Sequence, residues 1–316
     1  MARWTTDDIP DQTGRTVLVT GANSGLGLRT AEALAGAGAR VLLACRSAER
    51  AAVALESVKA RATGAVPEVV PLDLSDLDSV AACSASVLAE VDRLDVLVNN
   101  AGVMALPLRR TAQGHEMQFG TNHLGHFALT ARLLPRLLAA SEPRVVTVSS
   151  QGHRPGRIRW DDPDWHKGRY SRWPAYFQSK LANLLFTAEL QRQATEHGTK
   201  LTAAAAHPGY SRTHLSAAGP EMSGNKVMQQ ATKVSDRLFG QSDAQGALPQ
   251  LYVTTMPDVH PNDYWGPDGP FQSRGWPQRV GRSSRATDAE AAQRLWRLSE
   301  EMTGVTYDWG AGGSTT

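Results

Sequence analysis

The sequence predicts an α/β fold: a single doubly wound parallel sheet with helices on both faces. Three observations carry that prediction. Short apolar runs alternate with helical stretches through the first two-thirds of the chain, the runs are continuously apolar, and a glycine-rich turn follows the first of them. Continuous Val, Leu and Ala runs suit strands buried on both faces. A strand–helix–strand rhythm supplies the crossovers that a parallel sheet needs.

In order, Arg15 to Thr20 (RTVLVT) reads as the first strand, followed by the turn and an Ala-rich helix over Leu26 to Ala35. Ala39 to Cys45 is the second strand, with a helix of interleaved Ala and charge behind it. Pro67 to Asp73 is the third, and Ser75 opens the next helix. Leu94 to Gly102 (LDVLVNNAG) is a fourth strand that runs into a turn. The pattern then predicts a helix over His115 to Leu138, a strand over Arg144 to Ser150, a helix over Ala175 to Glu196 and a strand over Lys200 to Gly209. Two segments break the rhythm. His153 to Pro174 is rich in Arg, Asp, Pro and Trp, and His214 to Gly240 holds Gly and Ser before turning weakly helical. Long excursions outside the carboxyl ends of strands read as substrate lids. No repeat or low-complexity linker divides the chain, so residues 1–316 read as one domain.

Composition narrows the function classes. A net charge of +2 over 316 residues, with scattered basic groups, gives no footprint for nucleic acid. Two cysteines, Cys45 and Cys83, form neither a disulfide framework nor a zinc motif. No run reaches bilayer length, and the opening MARWTTDDIPDQTGR lacks a signal or transit pattern. The expectation is a cytoplasmic protein with a small-molecule substrate and no nucleic-acid or membrane partner.

Two constellations carry chemistry. TGANSGLG, Thr20 to Gly27, lies between a strand and a helix. Its glycines let the backbone turn tightly and approach a pyrophosphate, which meets the unpaired N–H groups and positive dipole of the helix start. Tyr176 and Lys180 stand four apart on a predicted helix and share a face, while Ser149 and Ser150 close the preceding strand. A tyrosine works as a general acid or base near neutrality only if its pKa of about 10 is pulled down. A lysine ammonium one turn away favours the phenolate, as would a positively charged nicotinamide ring. A serine hydroxyl can hold the reacting carbonyl or alcohol in line.

These pieces occur together and in order, and through them the sequence resembles the short-chain dehydrogenase/reductase family. The matching motifs are TGANSGLG, LDLSD around Asp73, NNAG at Asn99 to Gly102, Asn122 in GTNHLGHF, Ser150 in VTVSS, Tyr176 and Lys180 in YFQSK, and HPGYSRT at His207 to Thr213. The likeness spans Gly14 to Tyr264 and extends to a C-terminal helix over Ala289 to Met302. GANSGLG, ACRS, NHLGHF, QSKLANLLFT and HPG look most like the retinol-dehydrogenase and protochlorophyllide-reductase-like branch.

The resemblance implies a Rossmann-type fold and a catalytic set of Asn122, Ser150, Tyr176 and Lys180. Tyr176 would pass the proton and Ser150, the second of its pair, would position the substrate oxygen. Lys180 would lower the tyrosine pKa and hold the nicotinamide ribose, and Asn122 would support a water relay or merely kink its helix. The cofactor would meet Gly21, Asn23, Ser24, Gly25, Leu26 and Gly27, then Arg46, Asp73, Leu74, Asn100, Ala101 and Gly102, besides Tyr176 and Lys180. Pro208, Gly209 and Thr213 would hold its nicotinamide end. One departure stands out. Tyr176 follows Ser150 by 26 positions, about twice the spacing in many members, so His153 to Pro174 is expected to form a flap. This leaves the quaternary state open between monomer and homodimer.

NADP(H) is expected over NAD(H), which stays the alternative cofactor. NAD-preferring enzymes usually end the second strand with a carboxylate for the ribose hydroxyls, whereas this chain has Cys45 followed by Arg46. An arginine fork suits a 2′-phosphate. His123 and His126, three apart, could suit a metal but lack acidic or cysteine partners at ligand spacing, so they read as structural and no metal is assigned. Arg109, Arg110, Arg154, Arg157 and Arg159 read as solvated loop charges.

The function expected is hydride transfer between a nicotinamide and a carbonyl or alcohol, with Tyr176 as general acid/base. Trp160, Trp165, Trp173, Leu215, Met222, Val227 and Met228 in the two excursions suit an apolar or aromatic substrate. The alternatives are a dinucleotide-binding sensor without turnover, or an epimerase- or dehydratase-type relative using the same Tyr–Lys pair.

Overall fold

The computed structural model describes residues 3–210 and 241–310. One sheet runs β3-β2-β1-β4-β5-β6-β7-β8. Its strands are β1 (Thr16–Thr20), β2 (Arg40–Cys45), β3 (Glu68–Pro71), β4 (Val96–Asn99), β5 (Arg144–Val148), β6 (Thr202–Ala206), β7 (Tyr264–Pro267) and β8 (Pro277–Arg279). Strands β1 to β7 pair parallel, as expected, and β8 adds an antiparallel edge. The link between β7 and β8 is too short for a parallel crossover, so the chain can only fold back.

Helices α1 (Gly25–Gly36), α2 (Ala48–Lys59) and α6 (Asp243–Thr255) cover one face. Helices α3 (Leu77–Glu90), α4 (Gly125–Leu138), α5 (Arg172–Glu196) and α7 (Ala289–Thr303) cover the other. The strands show why their apolar runs are continuous. Val17 and Val19 enter one core and Leu18 the other; Val96 and Val98 oppose Leu97 in the same way. Strand β1 lies between β2 and β4, so the chain reverses direction across the sheet there, leaving a crevice at the carboxyl ends where ligands bind in such folds.

Two boundaries differ from the sequence reading. Helix α5 starts at Arg172, with Ser171 as its N-cap and Pro174 in the first turn, where a missing N–H breaks no helical bond. Helix α4 is entered through a short turn, Met117–Phe119, and a π-helical turn, Gly120–Leu124, that the apolar period could not reveal.

The segment before α5 is a fastened part of the core wall rather than a free flap. Asp164 accepts the Glu116 N–H at 2.8 Å and meets His115 Nδ1 at 3.0 Å. Arg110 donates to the carbonyls of Asp164 and Trp165, and Tyr170 donates to the buried Glu116 carboxylate. Trp165 is buried under the Arg159 guanidinium, 4.2 Å from its ring, and Trp160 packs beneath Arg294 against α7. Trp160 and Trp165 are therefore core residues and not pocket lining. Arg110, Arg154 and Arg159 are not simply solvated either: Arg154 donates to Gln151 at 2.7 Å and to the Gly281 carbonyl at 3.0 Å. Thr213 and the second excursion, His214 to Gly240, lie outside the described residues. Among the described residues no helix is long and apolar enough to cross a membrane.

Candidate active site

A cleft open at its mouth lies over the carboxyl ends of β1, β2, β4 and β5. The turn after β1 forms its floor. Gly21 is left-handed (φ +66°), and a β-carbon on Gly27 would stand 2.4 Å from the Gly21 carbonyl oxygen, so only glycine lets the turn and helix close together. Ser24 makes no side-chain cap on α1, and Ser24 to Gly27 line the cleft. The first-turn N–H groups thus remain for an anion. This glycine cradle and uncapped helix fit the pyrophosphate of a dinucleotide.

Thr20 fastens the opposite wall. Its hydroxyl oxygen accepts the Asn100 and Ala101 N–H groups, each at 2.9 Å, and pairs with His126 Nε2 at 2.9 Å. His126 Nδ1 donates to the Asn122 carbonyl at 3.0 Å. Burial pushes His126 down to about 4 and His123 to about 3, which keeps both rings neutral; His123 bonds Ser299 at 2.8 Å. Both act as structural struts. Asn99 points away from the cleft, bonding Thr130 at 3.0 Å.

At the adenosine end, Asp73 Oδ1 accepts the Ser75 N–H and hydroxyl at 2.9 and 2.6 Å. Arg46 stands over the other carboxylate oxygen, and Ser47 and Arg50 share the same wall. Arg50 was absent from the sequence reading, although it sits on the exposed start of α2 four residues beyond Arg46. Its place in the first turn of the helix that follows Arg46, three residues past the N-cap Ser47, is the signal that finds it. Val103, Met104, Thr121 and Tyr210 also line the cleft unanticipated.

At the other end, strand β5 delivers the two serines to different places. Ser149 is buried, and its hydroxyl donates to the Lys180 carbonyl at 2.8 Å. Ser150 caps a short 3-10 turn, Gln151–His153, and its Oγ accepts the Gly152 N–H at 3.1 Å. That leaves the Ser150 O–H proton to donate. Ser150, Tyr176 and Lys180 all line the cleft. Burial pushes the Tyr176 phenol up, and a hydrogen bond with Ser150 pulls it back. The sequence reading gave the lowering role to Lys180, but its Nζ sits 5.9 Å from the Tyr176 ring centroid and donates to the Val148 carbonyl at 3.1 Å. Burial pushes Lys180 itself down to about 8.

Asn122 stands behind this group, fully buried in the π-helical turn. Its Oδ1 accepts the Val103 N–H at 2.7 Å, while Nδ2 donates to the Val103 carbonyl and to Ser179 Oγ, both at 2.9 Å. A π-turn widens the helix enough to aim this amide sideways, a frequent arrangement at functional sites. Gly21, Asn23, Ser24, Gly25, Leu26, Gly27, Arg46, Asp73, Leu74, Asn100, Ala101, Gly102, Pro208 and Gly209 all line the one cleft, as anticipated.

Comparison with known proteins identifies the family. Residues 15–162 match the family model described as short chain dehydrogenase. The chain is 39% identical to retinol dehydrogenase 12 of Mus musculus over 304 residues, 93% of this chain and 88% of the relative. It is 37% identical to retinol dehydrogenase 13 of Homo sapiens over 292 residues, 92% of this chain and 85% of the relative. Among solved structures, an uncharacterised Mycobacterium paratuberculosis protein is 45% identical with a TM-score of 0.80, over 97% of this chain and all (100%) of that one. A short-chain dehydrogenase of Escherichia coli CFT073 complexed with NADPH is 25% identical with a TM-score of 0.55, over 78% of this chain and 94% of that one.

Proposed function

The chain belongs to the short-chain dehydrogenase family, in its retinol-dehydrogenase-like branch, and on that premise we propose that it reduces an apolar or aromatic carbonyl with NADPH, or oxidises the matching alcohol. The observation that carries the reading is that Ser150, Tyr176 and Lys180 line the same cleft as the glycine cradle.

The cofactor, when bound, supplies the hydride to the carbonyl carbon. The Tyr176 hydroxyl gives its proton to the carbonyl oxygen, and Ser150 donates a hydrogen bond that holds that oxygen in line. Lys180, anchored to the Val148 carbonyl, lines the same cleft and would hold the cofactor ribose. Asn122 holds the Val103 backbone that lines the nicotinamide side. Atoms balance: carbonyl, hydride and one proton make the alcohol.

Two features support the substrate class. Trp173 is exposed and stands edge-on to Tyr176, with ring centroids 6.2 Å apart, and the relatives named above are retinol dehydrogenases. Arg46 and Arg50 support NADP(H), since two guanidinium groups on one wall suit a 2′-phosphate. We further propose that the protein works in the cytoplasm; recovery mainly in the membrane fraction would contradict that. The functional reading is tested by NADPH oxidation over matched apolar and sugar-like carbonyls. Faster turnover of the apolar set is expected, and turnover of sugar-like compounds alone would overturn the substrate class.

A further inference from the structure

Gln272 lies in the loop between β7 and β8 with a left-handed backbone (φ 54°), a conformation it shares with Phe271. A residue with a β-carbon keeps that backbone only where its surroundings hold it. The Gln272 N–H donates to the Gly269 carbonyl at 2.8 Å, and the side chain reaches inward. Gln272 Oε1 accepts from Gln151 Nε2 and lies 3.1 Å from His207 Nε2. The His207 tautomer follows from its other nitrogen. Nδ1 accepts the Gly209 N–H at 3.2 Å, and burial keeps the ring neutral, so Nε2 carries the single ring proton. Gln151 and His207 therefore both donate to one oxygen, with their Nε2 atoms 3.2 Å apart beside it.

The two donors belong to opposite sides of the reaction centre. Gln151 follows Ser150 directly and opens the 3-10 turn whose Gly152 N–H binds Ser150 Oγ and which lies against the Tyr176 ring. His207 opens the Pro208–Gly209 turn at the nicotinamide end of the cleft. We propose that Gln272 is a positioning residue: its Oε1 is the shared acceptor that fixes the proton-delivering turn of Ser150 relative to the Pro208–Gly209 turn. The proposal rests on the hydride-transfer reading above. It gives a role to a residue that no local motif marks, 65 positions from His207 and 121 from Gln151.

The test compares Gln272→Gly and Gln272→Glu with the unaltered chain. Glycine suits a left-handed backbone, so folding survives while the acceptor is lost; glutamate keeps the acceptor. Three quantities are measured: NADPH affinity by fluorescence, kcat with an apolar carbonyl, and the isotope effect with NADPH deuterated at the transferred hydrogen. Gln272→Gly is expected to lower kcat about ten- to a hundredfold, raise the isotope effect and leave NADPH affinity nearly unchanged. Gln272→Glu is expected to recover most of that loss. A Gly variant with unaltered kcat and isotope effect overturns the proposal alone, as does a loss that Glu fails to rescue and that follows a fall in Tm. An unaltered chain silent with NADPH and every carbonyl overturns the hydride-transfer reading, and the proposal with it.

Discussion

Arg46 Nη1 lies 3.9 Å from Asp73 Oδ2 across the adenosine end of the cleft, a loose pair with its arginine largely exposed. Because Asp73 Oδ1 is already engaged by Ser75, the carboxylate is fixed while the guanidinium is free to turn. Such an exposed pair is worth little by itself, so a phosphate competes for the arginine at small cost. Arg46→Ala is expected to weaken NADPH at least about tenfold, equivalent to about 1.4 kcal/mol, with NADH nearly unaffected. Arg50→Ala is expected to shift the same preference by a smaller factor. Calorimetric titration of both cofactors checks this, and equal losses for NADPH and NADH would remove the phosphate-reading role.

The cradle makes a sharper demand. A methyl group at residue 27 would sit 2.4 Å from the Gly21 oxygen and 2.6 Å from Asn100 Nδ2, with backbone on one side. Gly27→Ala is therefore expected to abolish measurable dinucleotide binding while far-UV circular dichroism stays close to that of the unaltered chain. Retained NADPH affinity in a folded variant would show that the helix start does not approach the pyrophosphate.

Asn122 saturates three backbone or hydroxyl partners in a fully buried position. Removing it strands those groups, each costing about 1–3 kcal/mol when left unpaired. Asn122→Ala is expected to lower stability by about 2–4 kcal/mol and to reduce turnover more than it reduces NADPH affinity. Urea unfolding and binding measured on the same preparation separate the two effects. Undiminished stability would mean that water replaces the amide completely.

The buried histidines set the acid limit. Burial holds His123 near about 3 and His126 near about 4, below the ordinary value of 6.5. Between those values and 6.5 the unfolded chain binds protons that the folded chain refuses, so stability is full above 6.5 and is lost as pH falls. Each histidine contributes a slope of about 1.4 kcal/mol per pH unit in that window. Urea midpoints measured from pH 7 to 5 are expected to fall steadily, and His123→Gln is expected to flatten the slope by about one proton. A midpoint independent of pH would mean that the rings titrate freely in the fold.

Much of this was legible locally. TGANSGLG, the Tyr176–Lys180 spacing and the paired serines encode their geometry within a few residues, so strand ends and helix faces place them without knowledge of the rest. What escaped depends on distant partners. Trp160 and Trp165 read as pocket lining because their partners, Arg294 on α7 and the buried corner at Asp164, are set by tertiary packing. Strand β8 is three residues of Pro, Gln and Arg, with no apolar run to mark it. The π-turn holding Asn122 is invisible to a 3.6-residue period.

In the proposed reaction Tyr176 delivers the proton while the glycine cradle and Lys180 hold the cofactor. Tyr176→Phe keeps the ring and removes only the hydroxyl that would give the proton. Turnover of an apolar carbonyl with saturating NADPH, measured beside NADPH affinity, tests it most directly. Turnover is expected to fall by about 10²- to 10⁴-fold with NADPH affinity preserved; turnover near that of the unaltered chain would contradict the assignment of Tyr176 as the general acid.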